Sequence, residues 1–425
     1  MRTVEFPYGK GHLSHSFTEQ ELVGVLTAPI HDYDPGCAQE ALIAQAMAAP
    51  IGSPTLAEMA RGKNKVVIIA SDHTRPVPSK LILPPMLSQI RQGNPNADIT
   101  ILIATGCHRA TTRQELLDKF GQQILDNEKI YIHDCDETEK LRNIGKLPSG
   151  GDCVINTIAL DADLLVAEGF IEPHFFAGFS GGRKSVLPGI AGRQTVLANH
   201  CSEFIADPHA RTGILENNPI HRDMVWAAQK AGLAYIVNVV LNAHKQVIHA
   251  VAGDPVAAHA AGTAFLLQQC GAPAVNADVA ISTNGGYPLD QNVYQAVKGM
   301  TAAEATVKPG GVIIMLADSG DGIGGDHFYH QLSDEPDIRK TMELFLSRGR
   351  GETPPDQWQT QILLRILMHA NVIYISTMPD DVVKQMHMHP AHSIAEALDM
   401  ARTMLGKEDI TIAAIPDGVS VMVTK

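Results

Sequence analysis

From residue 65 onward the chain alternates between two hydrophobic patterns. Apolar, often β-branched runs at 66–70, 99–104, 163–167, 234–241, 279–282, 312–316, 372–376 and 410–414 predict short strands. Between them, segments 112–120, 194–205, 221–231, 255–269, 292–303, 357–370 and 393–405 mostly repeat apolar positions at i, i+3 and i+4, the stripe of a helix packed on one face. Strand and helix in turn is the pattern of βαβ units, so the predicted fold class is α/β, with mostly parallel sheets flanked by helices. Cys270-Gly-Ala-Pro-Ala-Val-Asn276 ends a helix, after which the pattern restarts. It divides the chain into an N-terminal lobe, 1–271, and a C-terminal lobe, 272–425, with 420–424 able to pair in either.

Polar and Gly-rich stretches follow the predicted strands directly. In the first lobe these are Ser71-Asp-His-Thr-Arg-Pro76, Thr105-Gly-Cys-His-Arg109 and Glu168-Gly-Phe-Ile-Glu-Pro-His174; in the second, Thr283-Asn-Gly-Gly-Tyr-Pro288 and Asp318-Ser-Gly-Asp-Gly-Ile-Gly-Gly325. Ligands of open parallel sheets bind outside the carboxyl ends of the strands. The chemistry is therefore expected in these loops, and the active site in a cleft between the lobes.

Composition narrows the partners. The 425 residues carry 33 Lys plus Arg against 46 Asp plus Glu, a net charge of −13, and no basic block, which argues against nucleic acid. No run approaches the roughly 18 apolar residues of a membrane span, and residues 1–16 lack the apolar core of an export signal. Six scattered cysteines without a CxxC pair read as reduced thiols, so a cytoplasmic location is expected.

Several residue types in these loops offer chemistry. Gly178-Phe-Ser-Gly-Gly-Arg-Lys184-Ser resembles a phosphate loop but misses Walker A, since Arg183 replaces the Gly before the Lys. It still suits a phosphate or a group attached to the Lys; the alternative is a solvated basic turn. His108, His174 and His200 sit near strand exits, where a neutral imidazole serves as base, acid or ligand, although 19 histidines make any single one a weak signal. His200 and Glu203 do not make HExxH, so a zinc protease is not supported, and His387 and His389 read as surface residues. Arg75 can clamp a carboxylate in bidentate fashion or pair with Asp72. Gln295 and Lys298 share a helix face, Trp358 reads as a site wall or, by base rate, core, and Cys107 is an oxidisable thiol beside His108.

Together, Ser71-Asp-His-Thr-Arg-Pro-Val-Pro78, Ala104-Thr-Gly-Cys-His-Arg109, His174-Phe-Phe-Ala-Gly-Phe-Ser-Gly-Gly-Arg-Lys-Ser-Val-Leu-Pro-Gly189, Ala198-Asn-His200 and Asn284-Gly-Gly-Tyr-Pro-Leu-Asp-Gln-Asn292 closely resemble the nickel-pincer lactate racemase family over essentially the whole chain. The resemblance implies nickel held by a pyridinium-3-thioamide-5-thiocarboxylic acid mononucleotide, tethered through Lys184, with His200 as the protein ligand to the metal. It implies His108 and His174 as paired acid/base residues and Asp72, His73, Thr74, Arg75 and Pro188 as the mononucleotide's cradle. Arg75, Gln295, Lys298, Tyr294 and Trp358 would bind the substrate. The implied reaction interconverts D- and L-lactate, or a similar short 2-hydroxy acid, by reversible hydride transfer to the cofactor through a bound 2-keto acid. Hydride removal avoids a carbanion beside a carboxylate, and two bases suit two enantiomers. The implied partners are a small 2-hydroxy acid and, transiently, the proteins that make the cofactor. Two alternatives stay open: a racemase or epimerase of a larger 2-hydroxy acid, and a non-catalytic cofactor-binding protein, against which the two histidines with Gln295 and Lys298 argue.

Overall fold

The β-branched runs form the strands of two six-stranded sheets. A computed structural model describes residues 1–424, His31 by its backbone alone. The chain divides into two compact units, one of Ile30–His200 and Asp207–Gln268, the other of Met1–Pro29, Cys201–Ala206 and the residues from Gln269 onward.

In the first unit the strand order is Val247–Gly253, Leu233–Leu241, Leu164–Phe170, Lys65–Ser71, Asp98–Ala104, Lys129–Ile132. Five strands are parallel and the Val247–Gly253 edge is antiparallel. Ile68, Ile101, Val166 and Val237 are fully buried beneath Ile82, Leu83, Met86 and Ile90 of the Ser79–Gly93 helix. Each such side chain contributes about 1.5–3 kcal/mol of burial free energy, which makes this sheet a rigid platform for its loops. Leu164–Phe170 runs three residues past the expected 163–167 and is buried along its whole length, because it pairs on both sides with other strands. Glu168, expected in a loop, therefore lies inside the sheet.

The second unit holds an all-parallel sheet ordered His389–Ala391, Asn371–Ile375, Val307–Leu316, Ala277–Thr283, Ile412–Ile415, Leu22–Val25. Its edge comes from the start of the chain. This corrects the expected 1–271 lobe: Leu22–Val25 pairs with Ile412–Ile415, and the hairpin Arg2–Tyr8/Gly11–Phe17 packs Val4, Phe6 and Phe17 into the core with Ile281 and Ile314. The helix Ser202–Ala206 also belongs here, held by Gln361 Nε2 donating to the Ser202 carbonyl at 2.9 Å. Met422–Thr424 pairs with Gly271–Pro273.

The expected helix 194–205 is two helices, Arg193–Asn199 and Ser202–Ala206, with His200 at the break. His387, read as a surface residue, is half-buried and bonds the Leu332 carbonyl at 2.8 Å. Trp358 is half-buried in the first turn of Gln357–His369, so the base-rate preference for core does not hold.

Candidate active site

In the first unit the connections leave Lys65–Ser71 in opposite directions: the chain goes on to Asp98–Ala104 on one side and later returns to Leu164–Phe170 on the other. The carboxyl ends of these strands form a topological switch point, where backbone diverges and a crevice opens. The loops 72–78, 105–111 and 171–181 all start there, and they carry Asp72, Arg75, His108 and His174.

Asp72 is 1% exposed, and its Oδ2 lies 2.7 Å from His108 Nδ1. Its Oδ1 accepts from Thr74 Oγ1 at 2.6 Å and from the Thr74 amide at 3.2 Å. Burial works against its ionisation, but the hydrogen bonds from His108 and Thr74 and the charges of His108 and Arg75 outweigh it and hold the carboxyl below its usual range. An ionised Asp72 accepts the His108 Nδ1–H, which leaves Nε2 as the atom able to take a proton. Asp72 is thus the orienter of His108 rather than the partner of Arg75, whose side chain is exposed. His73 turns to Thr111, Nδ1 to Oγ1 3.1 Å.

A second group gathers around Phe176. The Ala177 amide donates to His174 Nδ1 at 3.3 Å, His174 Nε2 lies 3.0 Å from Lys184 Nζ, and the Lys184 ammonium sits 5.6 Å from the Phe176 centroid. Phe176 meets His174 and His200 edge-on, at 4.5 and 5.1 Å between centroids. His200 is buried and bonds the Val196 carbonyl through Nδ1 at 3.0 Å. Burial, with help from Lys184, pushes its pKa down to about 3, so the imidazole is neutral.

The loop before Lys184 is built from the inside. Arg183 is 3% exposed and donates to the carbonyls of Ala177, Ser180 and Gly181 and to His221 Nδ1, the last at 3.0 Å. Burial lowers its pKa to about 9, and burial with Arg183 lowers that of His221 to about 4. This rules out a solvated basic turn: the guanidinium points into the protein and fixes the backbone on which Lys184 stands. Asn238 Oδ1 accepts the Gly182 amide at 2.8 Å, and a Cβ at Gly181, where φ is +77°, would meet that oxygen at 2.8 Å. Pro188 lies beside the His108 turn, since the Gly106 amide bonds the Gly189 carbonyl at 2.9 Å. A Cβ at Gly189 would meet the Ser185 carbonyl oxygen at 2.2 Å. Cys107 is half-buried and hydrogen-bonded to Cys135, which lowers its pKa.

In the second unit Gln295 and Lys298 lie half-buried on the helix Val293–Glu304. Asn292 Oδ1 caps it by accepting the Gln295 amide at 2.9 Å. The fully buried Asn284 accepts the Gly299 amide at 2.8 Å and donates to the Gln295 carbonyl at 2.6 Å. Tyr294 Oη bonds Asp356 at 3.3 Å, its side chain also bonds Trp358, and burial raises its pKa. The structure therefore gathers Asp72, Thr74 and His108; His174, Lys184 and His200; and Tyr294 with Trp358. Sequence reading missed Asn238 and the inward course of Arg183. The signal was present, since one amide interrupts the apolar run Ile236-Val-Asn-Val-Val240.

Two family models match the chain, the lactate racemase N-terminal domain over residues 8–213 and the lactate racemase C-terminal domain over 272–423. A lactate racemase of Thermoanaerobacterium thermosaccharolyticum is 51% identical over 424 residues, covering 100% of this chain and 99% of the relative. One of Lactiplantibacillus plantarum is 49% identical over 424 residues, covering 100% of both. The structure of the lactate racemase apoprotein from T. thermosaccharolyticum superposes with a TM-score of 0.96 at 50% identity, covering 100% of each chain.

Proposed function

We propose that this chain, which belongs to the lactate racemase family and is an isomerase, interconverts D- and L-lactate by moving the hydroxyl proton through His108 and His174 while the Cα hydrogen travels as hydride. The observation that carries the reading is that an Asp-oriented histidine and a second histidine 3.0 Å from a lysine amine both stand on loops that leave the carboxyl end of one sheet.

The residues fit the nickel mononucleotide. His200 is buried and neutral and bonds a backbone carbonyl through one ring nitrogen, the arrangement in which an imidazole serves as a metal ligand. Lys184 Nζ lies in the same aromatic cluster and supplies the amine for a covalent tether. Asp72 to Arg75 and Pro188 line the mononucleotide side of the reading. When bound, the group would supply an electron-poor hydride acceptor.

The remaining work belongs to the protein. His108 Nε2 takes the hydroxyl proton of one enantiomer, and Asp72 stabilises the resulting imidazolium through Nδ1–H. His174 does the same for the other enantiomer. Arg75, Gln295 and Lys298 hold the carboxylate and the oxygen atoms, with Tyr294 and Trp358 beside them, which keeps the keto acid in place between the two half-reactions. Six thiols with no disulfide and no helix among the described residues long and apolar enough to cross a membrane fit a cytoplasmic enzyme that receives its cofactor from other proteins.

The test is intact mass and nickel content on protein co-expressed with cofactor-making proteins, followed by chiral analysis after incubation with one lactate enantiomer. Adduct, nickel and loss of optical purity are expected. A loaded enzyme that leaves lactate unchanged overturns the substrate, and absence of adduct and nickel overturns the mechanism.

A further inference from the structure

Glu168 occupies a position that packing alone would give to an aliphatic residue. It lies in the central parallel strand Leu164–Phe170, among seven buried positions, and is itself 1% exposed. Burying a carboxyl costs several kcal/mol unless its oxygens are satisfied. Here one oxygen takes all the bonds: Oε1 accepts the Ser71 amide at 3.1 Å, Ser71 Oγ at 3.3 Å and Ser79 Oγ at 2.9 Å. Among the described residues Oε2 has no hydrogen-bond partner. Burial raises the pKa of Glu168, opposed first by the charge of Lys119 and then by these bonds.

Its partners explain its presence. Ser71 ends the strand before the 72–78 loop and Ser79 starts the helix after it, so one oxygen clasps both ends of that loop. Lys119, from the helix Arg113–Phe120, holds the middle: its Nζ donates to the carbonyls of Arg75 at 3.0 Å and Val77 at 3.4 Å. Between the clasped ends stand Asp72, which orients His108, and Arg75. None of these bonds is needed to pair the strand or fill the core, whose apolar contacts come from other residues.

Resting on the racemase reading, we propose that Glu168 and Lys119 are positioning residues of the racemisation site. Glu168 fastens the two ends of the 72–78 loop and Lys119 its middle, a brace that fixes the loop and, through Asp72, the orientation of His108.

The test compares loaded wild type with Glu168→Ala, Glu168→Gln and Lys119→Met. The readouts are amide hydrogen exchange of residues 71–79, the Lys184 adduct mass and the kcat and KM for lactate. Glu168→Ala should speed exchange at the Ser71 amide and across the loop, leave the adduct in place and cut kcat about 100-fold, the effect of a small misplacement at a catalytic centre. Glu168→Gln keeps an acceptor for Ser71 and Ser79 and should return to within about 10-fold of wild type. Lys119→Met should speed loop exchange and raise KM through Arg75. Unchanged loop exchange in Glu168→Ala overturns the brace, as does loop exchange that rises with normal kinetics. A rate loss matched by faster exchange throughout the sheet assigns Glu168 to stability and also overturns the proposal. If Glu168→Ala does not fold, Glu168→Gln and Lys119→Met decide: wild-type loop exchange and kinetics in both overturn it. If wild type does not racemise lactate, the functional reading falls, while exchange at 71–79 still decides whether the brace exists.

Discussion

The two units hold their candidate residues in different ways. In the first, the side chains bond one another: Asp72 to His108, His174 to Lys184, Arg183 to three carbonyls and a histidine, and burial and neighbouring charge displace several of their pKa values. In the second, the bonds around Gln295 and Lys298 that fix the helix act on backbone. Asn292 and Asn284 fix the start of the helix Val293–Glu304 and leave the half-buried side chains of Gln295 and Lys298 on its face. An imidazole oriented by a buried carboxylate is the arrangement that moves protons, whereas a fixed helix with polar side chains suits recognition of an anion. The difference accords with the proposed division, in which the first unit carries the chemistry and the second binds substrate.

Substitutions can break that division or sharpen it. Lys184→Ala should remove the covalent adduct and all racemisation, and an adduct mass that persists would place the tether elsewhere. His108→Ala and His174→Ala should each lower turnover by about 10²–10⁴ while adduct mass stays intact. Asp72→Asn should fall in the same range, since it keeps the shape and spoils the imidazole's orientation; normal turnover would separate Asp72 from the chemistry. Lys298→Ala and Gln295→Ala should raise KM and cost about 10- to 100-fold in kcat/KM, with the adduct untouched. A pure kcat loss in either would erase the contrast between the units.

The smallest effect concerns stability of the second unit alone. Asp278, 8% exposed in Ala277–Thr283, accepts from the Thr411 amide and hydroxyl at 3.0 and 2.9 Å and from Lys308 at 3.0 Å. Burial resists its ionisation, yet the Thr411 and lysine bonds prevail and hold the carboxyl below its usual 3.8. Its contribution is therefore full above about pH 4 and is lost as pH falls through the lower folded value. Asp278→Asn should reduce unfolding free energy by about 1–3 kcal/mol at pH 7, and by less in acid, in urea titrations at both pH values.

The strands from 66 to 414 were legible because β-branched runs bounded by Gly and Pro have few other uses. The hairpin Arg2–Tyr8/Gly11–Phe17 was not: polar residues dominate it, and only Val4, Phe6 and Phe17 are buried apolar positions. The break at His200 was hidden because Val196 and Phe204 sit at helical phase on either side of it. Site residues were legible as motifs, but their pairing was not, since Asp72 and His108 are 36 residues apart and meet only through neighbouring strands. Glu168 was misplaced for a related reason. A charged residue after an apolar run reads as the start of a loop, and only pairing with strands on both sides keeps it in the sheet.

The second unit pairs strands that lie far apart in the sequence, which sets an order on its synthesis. Among the described residues Leu22–Val25 pairs only with Ile412–Ile415, and Gly271–Pro273 only with Met422–Thr424. A ribosome has therefore passed residue 412 before the first of these strands meets its partner, while the sheet of the first unit is complete by Gly253. The unit that carries the histidines can fold early; the other keeps residues 22–25 and 271–273 waiting, with open strand edges that invite pairing with other chains until residues 412–424 emerge.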